Sequence, residues 1–174
     1  MKVFRSLSEV QKENKDLIAI LGNFDGVHKG HVSLIDTAKE LKGSEDSIIV
    51  VAFDPHPKDY FGKGVKKLYT LDEKLAAFEK IGIDVVLLLP FGEVAGLSPE
   101  DFVKDYLVDG LGVKKVVIGY NYRFGKMARG DSGNMVSFGK RFGFASFTVK
   151  IVELRLSSSI FSSFSQTAVT KPKS

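Results

Sequence analysis

The 174-residue sequence has no cysteine and no tryptophan, and only three histidines and five prolines. Without cysteine there is no disulfide framework, no thiolate-ligated zinc or iron–sulfur centre and no thiol nucleophile. Three histidines leave little material for a histidine-rich metal centre. Long apolar runs are missing too: a stretch such as Val85–Leu89 falls far short of the roughly 20 residues that a membrane-spanning helix needs. The start, Met1-Lys2-Val3-Phe4-Arg5, carries neither an apolar core of roughly 7–15 residues nor a small-residue cleavage site, so no signal peptide is expected. These absences leave a soluble, cytoplasmic protein as the expectation. What is present, 44% hydrophobic and 26% charged residues, suits one domain with an adequate core.

The charge is uneven. The net formal charge is +4, yet between Lys114 and Arg141 seven basic residues (Lys114, Lys115, Arg123, Lys126, Arg129, Lys140 and Arg141) stand against Asp131 alone. Such a local excess points to an anionic partner, with a solvated basic face as the plain alternative.

Short apolar runs alternate with stretches of helical period. Residues 17–21, 47–53, 85–89, 116–118 and 144–152 read as five strands, the first four apolar enough to be covered on both faces. Between them, Leu34, Ile35, Ala38 and Leu41 form a helical stripe. Thr70-Leu71-Asp72-Glu73 is a capping box, closed by Gly82. Ser98-Pro99 opens a third helix, and Asp131–Arg141 is a weaker fourth with Gly139 inside it. The alternation argues for an α/β, Rossmann-like, doubly wound open parallel sheet of five strands in the order 3-2-1-4-5. The Ser-rich segment 157–174 reads as a poorly ordered tail behind a domain of residues 1–156.

Gly22-Asn23-Phe24-Asp25-Gly26-Val27-His28-Lys29-Gly30-His31 lies between the first strand and the first helix. Ligands of open α/β sheets bind outside the carboxyl ends of the strands where the order reverses, and a helix N-terminus there is a ready anion site. His28 and His31, three residues apart, share one face of a helical first turn. The spacing fits neither a dinucleotide fingerprint nor a P-loop.

His28-x-Gly30-His31 resembles the HxGH signature of the nucleotidylyltransferase superfamily. The longer string is similar to the FMN adenylyltransferase module of bacterial bifunctional riboflavin kinase/FAD synthetases. Three further segments resemble that family in order: Phe53-Asp54-Pro55-His56-Pro57, Leu97-Ser98-Pro99-Glu100-Asp101-Phe102-Val103, and Gly119-Tyr120-Asn121-Tyr122-Arg123-Phe124-Gly125.

The resemblance implies adenylyl transfer from ATP to FMN, giving FAD and pyrophosphate, with Mg²⁺ as cofactor. It assigns the ATP phosphates to His28 and His31 as catalytic residues. Gly22, Asn23, Phe24, Gly26 and Gly30 shape the turn around ATP, and Asp25 either orders that turn or acts through Mg²⁺. Ser158 and Ser159 complete the ATP side. The flavin side falls to Asp54, Pro55, His56, Pro57, Asn121, Tyr122, Arg123 and Phe124, and Lys126 and Arg129 are candidates to cover phosphates. Each has a plainer alternative. The histidines make a structural hydrogen bond, the prolines a rigid turn, Tyr122 and Phe124 pack in the core, and the cations are a solvated face. The partners implied are small molecules, with neither nucleic acid nor a membrane, and the chain is expected to be a monomer.

Two departures stand out. The family continues into a riboflavin kinase module, and this sequence stops first, so FMN synthesis from riboflavin is not expected. The family's S-S-[TS]-x-I-R element appears as Ser157-Ser158-Ser159-Ile160-Phe161-Ser162, without its arginine. Loss of one charged contact to a phosphate costs about 1.5–3 kcal/mol. That motivates two further readings, weakened transfer and a non-catalytic flavin- or nucleotide-binding remnant. A related transferase with another phosphorylated acceptor is a third.

Overall fold

An apolar run such as Ile48–Ala52 is stable as a strand only when both of its faces are covered. The chain achieves this in a computed structural model, which describes residues 1–11, 16–24, 29–63, 70–153 and 165–170. The elements in order are β1 (Lys2–Phe4), α1 (Leu7–Gln11), β2 (Asp16–Leu21), α2 (Lys29–Leu41), β3 (Asp46–Phe53), α3 (Pro57–Tyr60), α4 (Leu71–Lys80) and β4 (Val85–Leu89). There follow α5 (Phe91–Val94), α6 (Pro99–Phe102, running into a π-helix over Val103–Gly110), β5 (Lys115–Gly119), a 3₁₀ turn (Lys126–Ala128), α7 (Ser132–Phe142), β6 (Ala145–Glu153) and β7 (Ser165–Thr170).

The strands form one sheet in the order β1-β4-β3-β2-β5-β6-β7, parallel except for β7. The five strands expected from the sequence are β2 to β6, and they lie in the expected 3-2-1-4-5 order. The strand count is corrected from five to seven. β1 joins one edge as three residues against Val85–Leu87, and β7 pairs with Thr148–Glu153 at the other. Ser165–Thr170 lies in the segment read as a poorly ordered tail. Its β-branched Thr167, Val169 and Thr170 suit a strand, and β6 offers an otherwise open edge.

The two faces of the sheet hold separate apolar layers. Leu17, Ala19, Leu21, Ile49, Val51, Leu87, Val116 and Ile118 face one way, against Phe102, Val103 and Leu107 and against Met135 of α7. Ile18, Ile20, Val50, Val86, Leu88 and Val117 face the other, against Leu34, Ile35 and Ala38 of α2 and Phe78 of α4.

Local chemistry sets the helix starts as expected. The Thr70 hydroxyl accepts from Glu73 N at 3.2 Å while Glu73 Oε2 accepts from Thr70 N at 2.8 Å. Ser98 Oγ accepts from Asp101 N at 3.0 Å ahead of Pro99. Asp131 Oδ1 accepts from Asn134 N at 2.8 Å and opens α7. Gly139 inside α7 has a packing cause, since a Cβ there would stand 2.6 Å from the Phe144 carbonyl oxygen.

β2 connects outward to β3, and the chain returns past β2 to place β5 on its other side. The reversal therefore falls between the carboxyl ends of β2 and β5.

Candidate functional site

Leu21 pairs with Ile118, so the next residues in that register are Gly22 and Gly119. Two glycines end the two strands at the reversal, and backbone rather than side chains floors the crevice above them. Three segments carrying the expected site residues leave adjacent strands here: 22–24 after β2, 54–57 after β3 and 120–125 after β5.

After β2, Asn23 is exposed and Phe24 is fully buried. Phe24 adopts φ +48°, a left-handed conformation that a bulky residue rarely takes. Its ring contacts the His31 imidazole at a centroid distance of 4.6 Å and the Phe78 ring at 5.3 Å, edge-on. His31 is half-buried in the first turn of α2, a helix whose N-terminus points its first N–H groups at this edge of the sheet. Gly30 is the second residue of the same helix. Asp25, Gly26, His28, Ser158 and Ser159 lie outside the described residues.

After β3, the Asp54–Pro55 peptide is cis. His56 caps α3: its Nδ1 accepts a hydrogen bond from Lys58 N at 3.1 Å, which places an imidazole proton on Nε2 when the ring is neutral. Pro57 is the first residue of that helix. Asp54 N donates to the Leu89 carbonyl at 3.0 Å, and its exposed carboxylate meets the Arg5 guanidinium at 3.5 Å. Arg5 was not singled out in the sequence, because its partner is 49 residues away.

After β5, Asn121 and Arg123 are exposed, whereas Tyr122 and Phe124 turn inward and stack at 6.0 Å with 16° between their planes. Both side chains belong to the apolar layer on this face of the sheet. Burial raises the Tyr122 hydroxyl pKa far above the ordinary phenol value. The segment closes as a tight hairpin, Phe124 N donating to Gly130 O at 3.1 Å and Gly130 N to Phe124 O at 2.8 Å. It rests on the start of α6, where Lys126 N donates to the Leu97 carbonyl at 2.6 Å. Lys126, Met127 and Arg129 project from the hairpin into solvent.

The basic window does not form one patch. Lys115 begins β5 at the opposite end of the sheet and pairs with Asp46 at 3.6 Å. Arg141 pairs with Glu100 at 2.6 Å. Arg123, Lys126 and Arg129 remain beside the crevice, with Asp131 3.8 Å from Arg123.

The apolar surface at this edge comes from residues the sequence did not mark. Tyr60 and Phe61 are 47% and 60% exposed and meet Phe91 edge-on at 5.2 and 5.8 Å. Phe91 contacts Phe53, Phe53 contacts Phe102, and Phe102 contacts Phe124, so a continuous aromatic seam runs from the surface to the buried Tyr122. The available signal was the Tyr-Phe pair three residues beyond Pro57, on a turn too short to show a period.

Among the described residues, no three His, Asp or Glu side chains are grouped as a protein-built metal site requires. No helix among them is long and apolar enough to cross a membrane.

The sequence profile described as FAD synthetase matches residues 10–164. A bifunctional riboflavin kinase/FMN adenylyltransferase from Bacillus subtilis is 36% identical over 131 residues, 72% of this chain and 41% of that protein. Its namesake from Buchnera aphidicola is 30% identical over 159 residues, 88% of this chain and 49% of that protein. The chain thus spans about half the length of the curated relatives it matches. A solved structure described as a macrolide-efflux protein from Streptococcus pneumoniae superposes with a TM-score of 0.71 at 23% identity, over 91% of this chain and 54% of that one. That likeness is one of fold.

Proposed function

The chain belongs to the FAD synthetase family, and from that membership we propose that it transfers the adenylyl group of ATP to FMN. A phosphate oxygen of FMN forms a bond to the α-phosphorus of ATP, the bond from that phosphorus to the bridging β-oxygen breaks, and FAD and pyrophosphate result. The nucleophile is anionic near neutral pH, so the task is alignment and charge neutralisation rather than proton abstraction.

The observation that carries this reading is the convergence of three loops over the glycine-floored reversal between β2 and β5. In the proposal His31, with His28, meets the ATP phosphates at the start of α2, where helix N–H groups favour an anion. Gly22, Asn23 and Gly30 shape the backbone around the nucleotide. The exposed Asn121 and the cis-proline turn at Asp54–Pro57 face the flavin, Tyr60 and Phe61 offer it a flat apolar surface, and Tyr122 and Phe124 support that surface from behind. The exposed Arg123, Lys126 and Arg129 supply positive charge for the phosphates. Magnesium, when bound, would come with the ATP phosphates and neutralise part of their charge. The proposed transferase unit is residues 1–156, with β7 added to its sheet from the segment beyond, and the proposed setting is the cytoplasm.

The test is incubation of the purified chain with FMN, MgATP and pyrophosphatase, followed by chromatography for FAD. The reading expects FAD well above a His31→Ala control. Equal yields from the two proteins, with the control folded, overturn the role of His31. Tight binding of FMN or ATP without product would replace the transferase reading with that of a non-catalytic ligand-binding relative.

A further inference from the structure

Phe24 stands out as a residue that the fold holds against its own local preference. It sits in the loop at the carboxyl edge of the sheet, yet no part of it is exposed, and its φ is +48°. Three elements clamp its ring. Phe78 of α4 meets it edge-on at 5.3 Å, and the His31 imidazole lies 4.6 Å away at a tilt of 47°. On the third side, Gly22 approaches so closely that a Cβ there would stand 3.1 Å from the ring's Cε2 and Cζ.

We propose that Phe24 is a positioning residue for His31, its clamped ring fixing the placement of the imidazole at the start of α2. A half-buried histidine in the first turn of a helix has several rotamers open to it, and a flat, immobile neighbour against the ring removes most of them. Gly22 takes part by leaving room for the Phe24 ring, which ties the end of β2 to the imidazole through one aromatic contact. An aliphatic side chain at position 24 would fill much of the volume without presenting a plane.

The consequence for catalysis rests on the proposed function, because it requires His31 to meet the ATP phosphates; the placement of the imidazole does not. Three variants test the two parts together: Phe24→Leu, Gly22→Ala, and Phe144→Leu as a comparator that loses a core ring on the opposite face of the sheet from Phe24. Each is followed by steady-state FAD formation below its own melting temperature and by NMR of the His31 imidazole C–H resonances, which sense the ring current of a neighbouring aromatic. Phe24→Leu is expected to shift those resonances and to lower kcat between about tenfold and a hundredfold, the penalty of a misplaced catalytic group, with a smaller change in KM for ATP. Gly22→Ala, with Phe24 retained but displaced, is expected to shift the same resonances less. Phe144→Leu is expected to lower the melting temperature while keeping kcat within about threefold of the parent, well short of that penalty.

His31 resonances unmoved in Phe24→Leu, or a kcat no lower than that of Phe144→Leu, overturn the proposal. If Phe24→Leu does not fold, Gly22→Ala decides by the same resonances. A parent protein that makes no FAD overturns the proposed function and leaves the NMR comparison to judge the positioning.

Discussion

Gly125 lies directly against Pro99: a Cβ built on it would stand 2.7 Å from both the proline nitrogen and Cγ. The contact seats the hairpin that carries Lys126 and Arg129 on the first turn of α6. Gly125 also has φ +78°, so any other residue meets both a clash and an unfavourable backbone. Gly125→Ala is expected to destabilise the protein by about 2–4 kcal/mol, combining left-handed strain with overpacking against a rigid ring. Urea unfolding measures it, and a loss below about 0.5 kcal/mol, the range of an ordinary surface change, would show that the hairpin lifts off Pro99 freely.

Asp131 has two roles that substitution separates. It caps α7 through Asn134 N at 2.8 Å and lies 3.8 Å from the exposed Arg123 guanidinium. Asp131→Ala is expected to cost about 1 kcal/mol, the usual loss of a cap. Asp131→Asn retains a capping oxygen and is expected to cost only a few tenths. Equal losses in the two variants, read by thermal unfolding at low and high salt, would assign the effect to charge rather than to the cap.

The sequence was informative wherever a single segment carried its own constraint. Apolar-rich runs located β2 to β6, the first four of them nearly unbroken, and the reversal that places Gly22 beside Gly119 followed from their order. Thr70 and Glu73 identified the start of α4 because a capping box is local. β1 escaped notice since three residues, Lys2-Val3-Phe4, have no period, and the strand exists through its pairing with β4. β7 is polar and is defined only by its alignment against β6. At the site, the loops were legible from the glycines and strand ends, but the direction of each aromatic was not. Tyr122 and Phe124 are two residues apart in extended chain and turn inward together, whereas Tyr60 and Phe61 sit on a four-residue helix and its end and face outward. The Arg5–Asp54 pair joins loops that only the sheet brings together.

Tyr122 gives the fold an alkaline limit. Burial raises its pKa well above the ordinary 10.0. Below that value folded and unfolded chains both hold the phenol proton, and Tyr122 adds no pH dependence. As pH rises past 10.0 the unfolded chain releases the proton while the folded chain keeps it, so stability falls with increasing pH. Unfolding in urea between pH 9 and 11 is expected to show this decline in the parent and a weaker one in Tyr122→Phe. Ultraviolet difference absorbance is expected to show Tyr122 ionising only as the protein unfolds. An identical alkaline decline in both proteins would assign it to other groups.

Phe61 tests which aromatics serve the flavin side. It is 60% exposed, and among the described residues its ring meets Tyr60 at 5.2 Å and Phe91 at 5.8 Å in T-shaped contacts. Little of the fold depends on it, so Phe61→Ala is expected to change stability by no more than about 0.5 kcal/mol. If its ring stacks against an isoalloxazine, its loss removes about 0.5–1.5 kcal/mol of binding, which raises KM for FMN roughly 2- to 10-fold. KM for ATP is expected to stay at the parent value, because Phe61 follows β3 and α3 and not the loop between β2 and α2. Phe124→Ala should behave in the opposite sense, losing about 3–5 kcal/mol of stability from a core ring. Flavin binding measured by fluorescence quenching separates the two. An unchanged FMN affinity in Phe61→Ala would mean that the exposed seam does not meet the flavin and that recognition falls to the polar groups at Asn121 and Asp54.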